Sequence, residues 1–162
     1  RKLELPNGEV LSLREDTYIF GTMNPTSLRD YAGTQSLNKA FADRWVIWDK
    51  PFPNKEQLNT IFEKRYPKLQ KEYRDLIIKL ATEINNSFMS DDISINIETP
   101  MSLRTIVERI PIGLDVYAES SDPLKDTWEN FVLPHVNKED LDHYKTLWNT
   151  IVRKGPSIKP KL

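Results

Sequence analysis

The stretch Tyr18-Ile-Phe-Gly-Thr-Met-Asn-Pro25 decides how this chain is read. A short apolar run stops abruptly at Asn24-Pro25, and twenty positions after Asn24 a single arginine, Arg44, opens a second apolar run, Trp45-Val-Ile-Trp48. Short apolar runs bounded by turn residues read as buried strands. A polar residue at the carboxyl tip of such a strand is where open α/β sheets carry their chemistry. The expectation is a piece of an α/β core with strands over Thr17–Met23 and Trp45–Trp48.

Working outward from these runs, Leu3–Leu13 reads as a hairpin in which Asn7-Gly8 supplies the positive φ angles of a tight turn. Arg14-Glu15-Asp16 forms a charged turn, residues 27–34 a loop punctuated by Gly33, and Ser36 the cap of a short helix, Leu37–Ala42. Pro51-Phe-Pro53 breaks the second run and marks the boundary between a first region, 1–53, and a helical region, 54–155. There Asn54 caps a helix over Lys55–Arg65, and Pro67 opens a longer one to Phe88, with apolar residues at three- and four-residue steps. Residues 90–97 read as a connector, and Thr99-Pro-Met-Ser102 leads into a helix through Arg109, kinked at Pro111 and Gly113. Asp122-Pro123 starts a helix to Val132, Asn137 caps Glu139–Val152, and the basic residues 156–162 form a flexible tail.

Composition bounds the function classes. The 162 residues carry a net charge of −1, against the broad positive footprint of a duplex-DNA binder. Absence of cysteine excludes disulfides and thiolate metal sites. No apolar stretch approaches the ~18 residues that span a bilayer, so the expectation is a cytoplasmic protein without a membrane partner. His135 and His143 stand without a third ligand pattern, so no metal site is expected of them.

The two quoted runs resemble the second half of an AAA+ ATPase module, in its MoxR and dynein-like branch. There a T-x-N-P strand carries the sensor 1 asparagine, and an A-x-x-D-R-F segment carries an arginine finger. Thr22-Met-Asn-Pro25 and Ala42-Asp-Arg-Trp45 match these words in order, with Trp45 in place of the phenylalanine. Thr99-Pro-Met-Ser-Leu-Arg-Thr105 is similar to the S-x-R word that opens the family's lid. The resemblance implies an α/β fragment plus an all-α lid: the last strands of a doubly wound P-loop core, then a small helical lid. It also implies that Leu3–Leu13 is a pre-sensor-1 hairpin, whose Asn7-Gly8 tip can touch a substrate in the ring's channel. The implied activity is ATP hydrolysis with Mg²⁺ in a homo-oligomeric ring, a hexamer, that remodels a protein client. The chain opens on Arg1 and contains neither a G-x-x-x-x-G-K-[ST] loop nor an Asp-Glu strand before Tyr18. ATP and Mg²⁺ would therefore be bound mainly by an upstream half of a longer polypeptide.

Three residues carry the implied chemistry. Asn24, at a strand tip, can hold the attacking water in line with the γ-phosphate; the plain alternative is a turn residue. Arg44 can enter a neighbour's site and neutralise charge on the transferring phosphoryl group, an effect on the order of 10³–10⁵ in rate. Its alternative is a surface pair with Asp43. Arg104, in the first turn of a helix capped by Ser102, is the sensor 2 phosphate contact; its alternative is a solvated arginine paired with Glu98 or Glu108. Two rivals to the ATPase reading stay open: a catalytically inactive, lid-like interaction domain, and a subunit of a nucleic-acid motor.

Overall fold

The computed structural model describes residues 2–12, 14–22, 38–48, 50–90 and 97–162. The chain divides into two units, Arg1–Ile47 and Trp48–Leu162.

In the first unit β1 (Lys2–Glu4) pairs antiparallel with β2 (Val10–Ser12), Leu3 opposite Leu11. Gly8 turns the chain with φ 83°, and the Asn7 side chain accepts from the Glu9 amide at 3.1 Å. These local bonds set the hairpin register. Helix α1 (Lys39–Ala42) is capped by Asn38, whose side chain accepts from the Ala40 amide at 2.9 Å. It thus starts two residues later than expected; Ser36 and Gly33 lie outside the described residues.

The two runs read as strands form no ladder among the described residues. Tyr18, Ile19 and Phe20 are exposed, as are Trp45, Val46 and Ile47, with Phe20 at 90% and Val46 at 99% exposure. A strand buried on both faces needs neighbours on both edges. The described part of this unit supplies only a hairpin of three-residue strands.

The second unit is helical and carries the core. Helix α2 (Lys55–Arg65) opens with a capping box: Asn54 accepts from the Gln57 amide at 2.9 Å, and the Gln57 side chain accepts from the Asn54 amide at 3.0 Å. Helix α3 (Lys71–Phe88) begins at Lys71 and not at Pro67, because the chain first makes a turn that buries Leu69. Helix α4 (Ile110–Val116) continues from a π-helical turn over Thr105–Arg109, and α5 (Pro123–Thr127) runs into a second one over Trp128–Val132. Helix α6 (Leu141–Ile151) follows a 3-10 turn over Lys138–Asp140. The Asn137 side chain caps nothing; instead its amide donates to Thr99 Oγ1 at 3.1 Å.

Both π turns have the same cause. The Ile110 amide reaches back five residues to the Thr105 carbonyl, and the Leu133 amide does so to that of Trp128. Each of these donors directly precedes a proline, Pro111 or Pro134. A proline ring presses on the carbonyl four residues earlier and offers that carbonyl no donor; a widened turn relieves the crowding. At Pro111 the deprived carbonyl is that of Val107, and the Tyr66 hydroxyl donates to it at 2.7 Å. The helix therefore runs on past Pro111 instead of breaking. Gly113 is needed next to it, since a Cβ there would stand 2.5 Å from Thr127 Cγ2 of α5.

The core gathers Leu58 and Phe62 of α2, Tyr73, Ile77, Leu80 and Ile84 of α3, and Ile106 and Leu114. Trp128 stacks between Trp148 and Tyr144 of α6, with ring centroids 5.1 and 5.8 Å away. Residues 97–101 cross this core in extended form, held by side chains on both sides. Asn85 accepts from the Met101 amide at 2.8 Å and donates to its carbonyl at 3.1 Å. The buried Asp140 carboxylate accepts from the amides of Glu98 and Thr99, at 3.1 and 2.7 Å. Tyr144 donates to the Thr99 carbonyl at 2.7 Å. Burial pushes its phenol well above the ordinary value, and the negative charge of Asp140 adds to the shift.

Residues 156–162, expected to fray, are tied down. Tyr73 donates to the Ile158 carbonyl at 2.7 Å, the Gln70 amide bonds Lys159 and Lys161, and Leu162 packs on the core.

Two outcomes test this arrangement. Asn85→Ala leaves a buried N–H and C=O of Met101 without partners and is expected to cost about 2 kcal/mol or more in urea unfolding. Tyr73 is held at about 12, by burial first and the charge of Asp122 second, against an ordinary value of 10.0. Its folded-state value lies above the unfolded one, so its contribution is complete below about pH 10 and is lost as pH rises toward about 12. Urea midpoints should fall over that window, and Tyr73→Phe should flatten the fall.

Candidate functional site

Arg44 follows α1 at the end of a turn closed by the Arg44 amide on the Phe41 carbonyl at 3.1 Å. Its side chain is exposed, and the guanidinium donates back to the Ala40 carbonyl of its own helix. No ion pair joins it to Asp43 among the described residues. Only one of the five guanidinium N–H donors is used in that bond, so an anion can still be met. Asn24 lies outside the described residues.

Arg104 stands in the first turn of the segment that becomes α4. Ser102 caps that turn, its hydroxyl accepting from the Thr105 amide at 3.1 Å and meeting the Thr105 hydroxyl at 3.0 Å. Arg104 is 77% exposed and lies 4.0 Å from Glu108, one turn on. Glu108 also takes Arg65 of α2 at 3.3 Å. Two guanidinium groups thus share one carboxylate, and among the described residues the trio carries one net positive charge at the surface. A phosphate arriving there would compete with Glu108 for both arginines. Exposed pairs of this kind are weak enough to be exchanged.

Arg44 and Arg104 belong to different units. The role of Arg65 was not legible in the sequence, since it reaches Glu108 from 43 residues away. The Arg104–Glu108 spacing of four was the signal for the other half of the trio.

Other candidates carry less. His135 is exposed, and His143 keeps its Nε2 buried without a hydrogen-bond partner among the described residues. No group of three or more His, Asp or Glu suited to a metal ion occurs among the described residues. None of the described helices is long and apolar enough to cross a membrane. Trp128 and Trp148 are core residues, whereas Trp48 is 94% exposed. An open groove of about 480 Å³ runs along α3, lined by Glu72, Asp75 and Leu76 and by residues 154–158.

No family model, curated protein or solved structure matches the chain.

The geometry separates the cap from the ion pair. Ser102→Ala should lower stability by about 1 kcal/mol, the usual cost of a lost N-cap. Arg104→Ala should stay within about 0.5 kcal/mol, because its partner is an exposed carboxylate. Urea unfolding of both variants distinguishes them, and a large loss for Arg104→Ala would give that side chain a structural role.

Proposed function

We propose that this chain is the C-terminal portion of a MoxR-like AAA+ ATPase. It would couple ATP hydrolysis in a homo-oligomeric, hexameric ring to the remodelling of a protein client in the cytoplasm. Residues 1–53 belong to the α/β core, and the helical region that follows serves as the lid. Asn24 positions the attacking water, Arg44 completes a neighbour's site, and Arg104 contacts a phosphate. ATP and Mg²⁺ bind mainly to a phosphate-loop half outside these residues, and that half supplies the strands between which 17–23 and 45–48 pair.

The observation that supports this most is the state of those two runs. Their aromatic and β-branched side chains stand exposed, without a ladder, beside an arginine with free donors. Burying such runs in a sheet would remove a large apolar surface from water, at roughly 25 cal/mol per Å². The Ser102 cap adds support, because it sets Arg104 in the first helical turn, where the S-x-R word puts the sensor arginine. The inactive-domain rival draws on a different observation: Arg104 already has Glu108 beside it.

Turnover measurements decide between them. The chain alone, lacking a phosphate loop, should show no hydrolysis of ATP with Mg²⁺. In the polypeptide that contains that loop, Asn24→Ala should keep ATP affinity near wild type and lower turnover about tenfold or more. Arg44→Ala should abolish turnover, and mixing it with loop-disabled subunits should restore part of it. Absence of ATP binding in that polypeptide would leave the inactive domain as the reading.

A further inference from the structure

Residues 156–162 are held the way a separate peptide is held. Gln70 Nε2 donates to the Lys159 carbonyl at 2.7 Å, while its Oε1 accepts from the Lys161 amide at 3.1 Å. One amide side chain thus serves a carbonyl and an amide of the segment, as a neighbouring strand would. The Tyr73 hydroxyl takes the Ile158 carbonyl. Pro160 is buried and Leu162 packs on the core, while Lys159 and Lys161 face solvent between them. These contacts lie between the segment and the start of α3, and Lys159 also pairs with Glu119. None of them requires that the segment and its partners belong to the same chain.

The link to α6 is anchored where the Gly155 amide donates to Asp122 at 3.2 Å, but it contains an unfavourable turn. Arg153 has φ 58°, the one positive φ at a non-glycine among the described residues. The Lys154 amide closes on the Val152 carbonyl at 2.6 Å, a reversal of three residues. A side chain at Gly155 would collide, with a Cβ 2.2 Å from Asp122 Oδ1. Glycine is the residue that suits a left-handed position at a helix end; here it stands two positions later, and an arginine occupies the strained one.

We propose that residues 156–162 form an exchangeable arm, and that in a pair of copies the arm of each chain packs against Gln70 and Tyr73 of the other. A short, strained hinge invites this exchange, because the open form keeps every arm contact and releases the turn. The partner is a second copy of this chain, since each copy carries the Ile158-Lys-Pro-Lys-Leu162 pattern that Gln70 and Tyr73 already hold. Exchange between two copies is reciprocal and closes on a two-fold axis. The proposal does not rest on the ATPase reading.

The chain has no cysteine, so single cysteines report the exchange cleanly. Asp75 and Ser157 both line the groove. A preparation of Asp75→Cys is mixed with one of Ser157→Cys at high concentration, equilibrated and oxidised. The 75–157 crosslinked dimer is expected in excess of its statistical share among the three possible dimers. Arg153→Gly, which relieves the turn, should reduce that excess, and Arg153→Val, which worsens it, should raise it. A dilute chain carrying both cysteines should close on itself, showing the arm against its own α3. Statistical proportions, no dimer, or an excess that the two Arg153 variants leave unmoved would overturn the proposal. Failure of the double-cysteine chain to close would overturn it as well.

Discussion

The helical unit depends on how its extended connector is received. Residues 97–101 form no regular element, so their backbone groups must be satisfied by side chains or water. Asp140 takes the amides of Glu98 and Thr99, Tyr144 the Thr99 carbonyl, and Asn85 both groups of Met101. These three side chains come from α3, from the turn before α6 and from α6. The connector is therefore the joint through which α3 and α6 hold one position. Bonds to a carboxylate are the stronger kind, about 1.5–3 kcal/mol each. Those amides satisfy the buried Asp140 side chain.

Proline sets the second constraint. Pro111 and Pro134 fall where straight α-helix would be crowded, and each is preceded by a widened turn. Tyr66 donates to the carbonyl that Pro111 deprives, which ties the end of α2 to the start of α4. The same region needs Gly113, because α4 and α5 approach too closely for a Cβ. Proline, tyrosine and glycine thus act together in bringing the two helices against one core.

Local signals were legible in the sequence, and distant ones were not. Asn7-Gly8 and the Asn54–Gln57 box act within four residues, and the hairpin turn and the start of α2 follow from them. Apolar steps along 69–84 marked the buried face of α3. The onset of α3 at Lys71 was not legible, because Leu69 is drawn into the core by tertiary packing. The π turns were not legible either: a proline in a helical pattern predicts a kink, and only the Tyr66 hydroxyl, 41 residues from Val107, shows how the helix runs on. Asn137 looked like a cap, but Thr99 engages its amide from across the unit. Of the candidate site, the Ser102 cap was readable from its three-residue reach, whereas the sharing of Glu108 with Arg65 was not. The exposed state of 45–48 could not be read from composition, since an apolar run states a preference for burial and not what provides it.

The tryptophans divide the molecule optically. Trp128 and Trp148 are buried, and their rings stack 5.1 Å apart at an interplanar angle of 26°. Indoles this close couple their transitions, so the pair should dominate the near-ultraviolet dichroism and emit at the blue end. Trp48, at 94% exposure, emits at the red end and contributes little dichroism, whereas Trp45, 38% exposed and packed on Phe41, falls between the two classes. One spectrum therefore carries two separable signals. Melting of the helical core is read in the coupled pair, and any covering of the 45–48 run is read as a blue shift of Trp48.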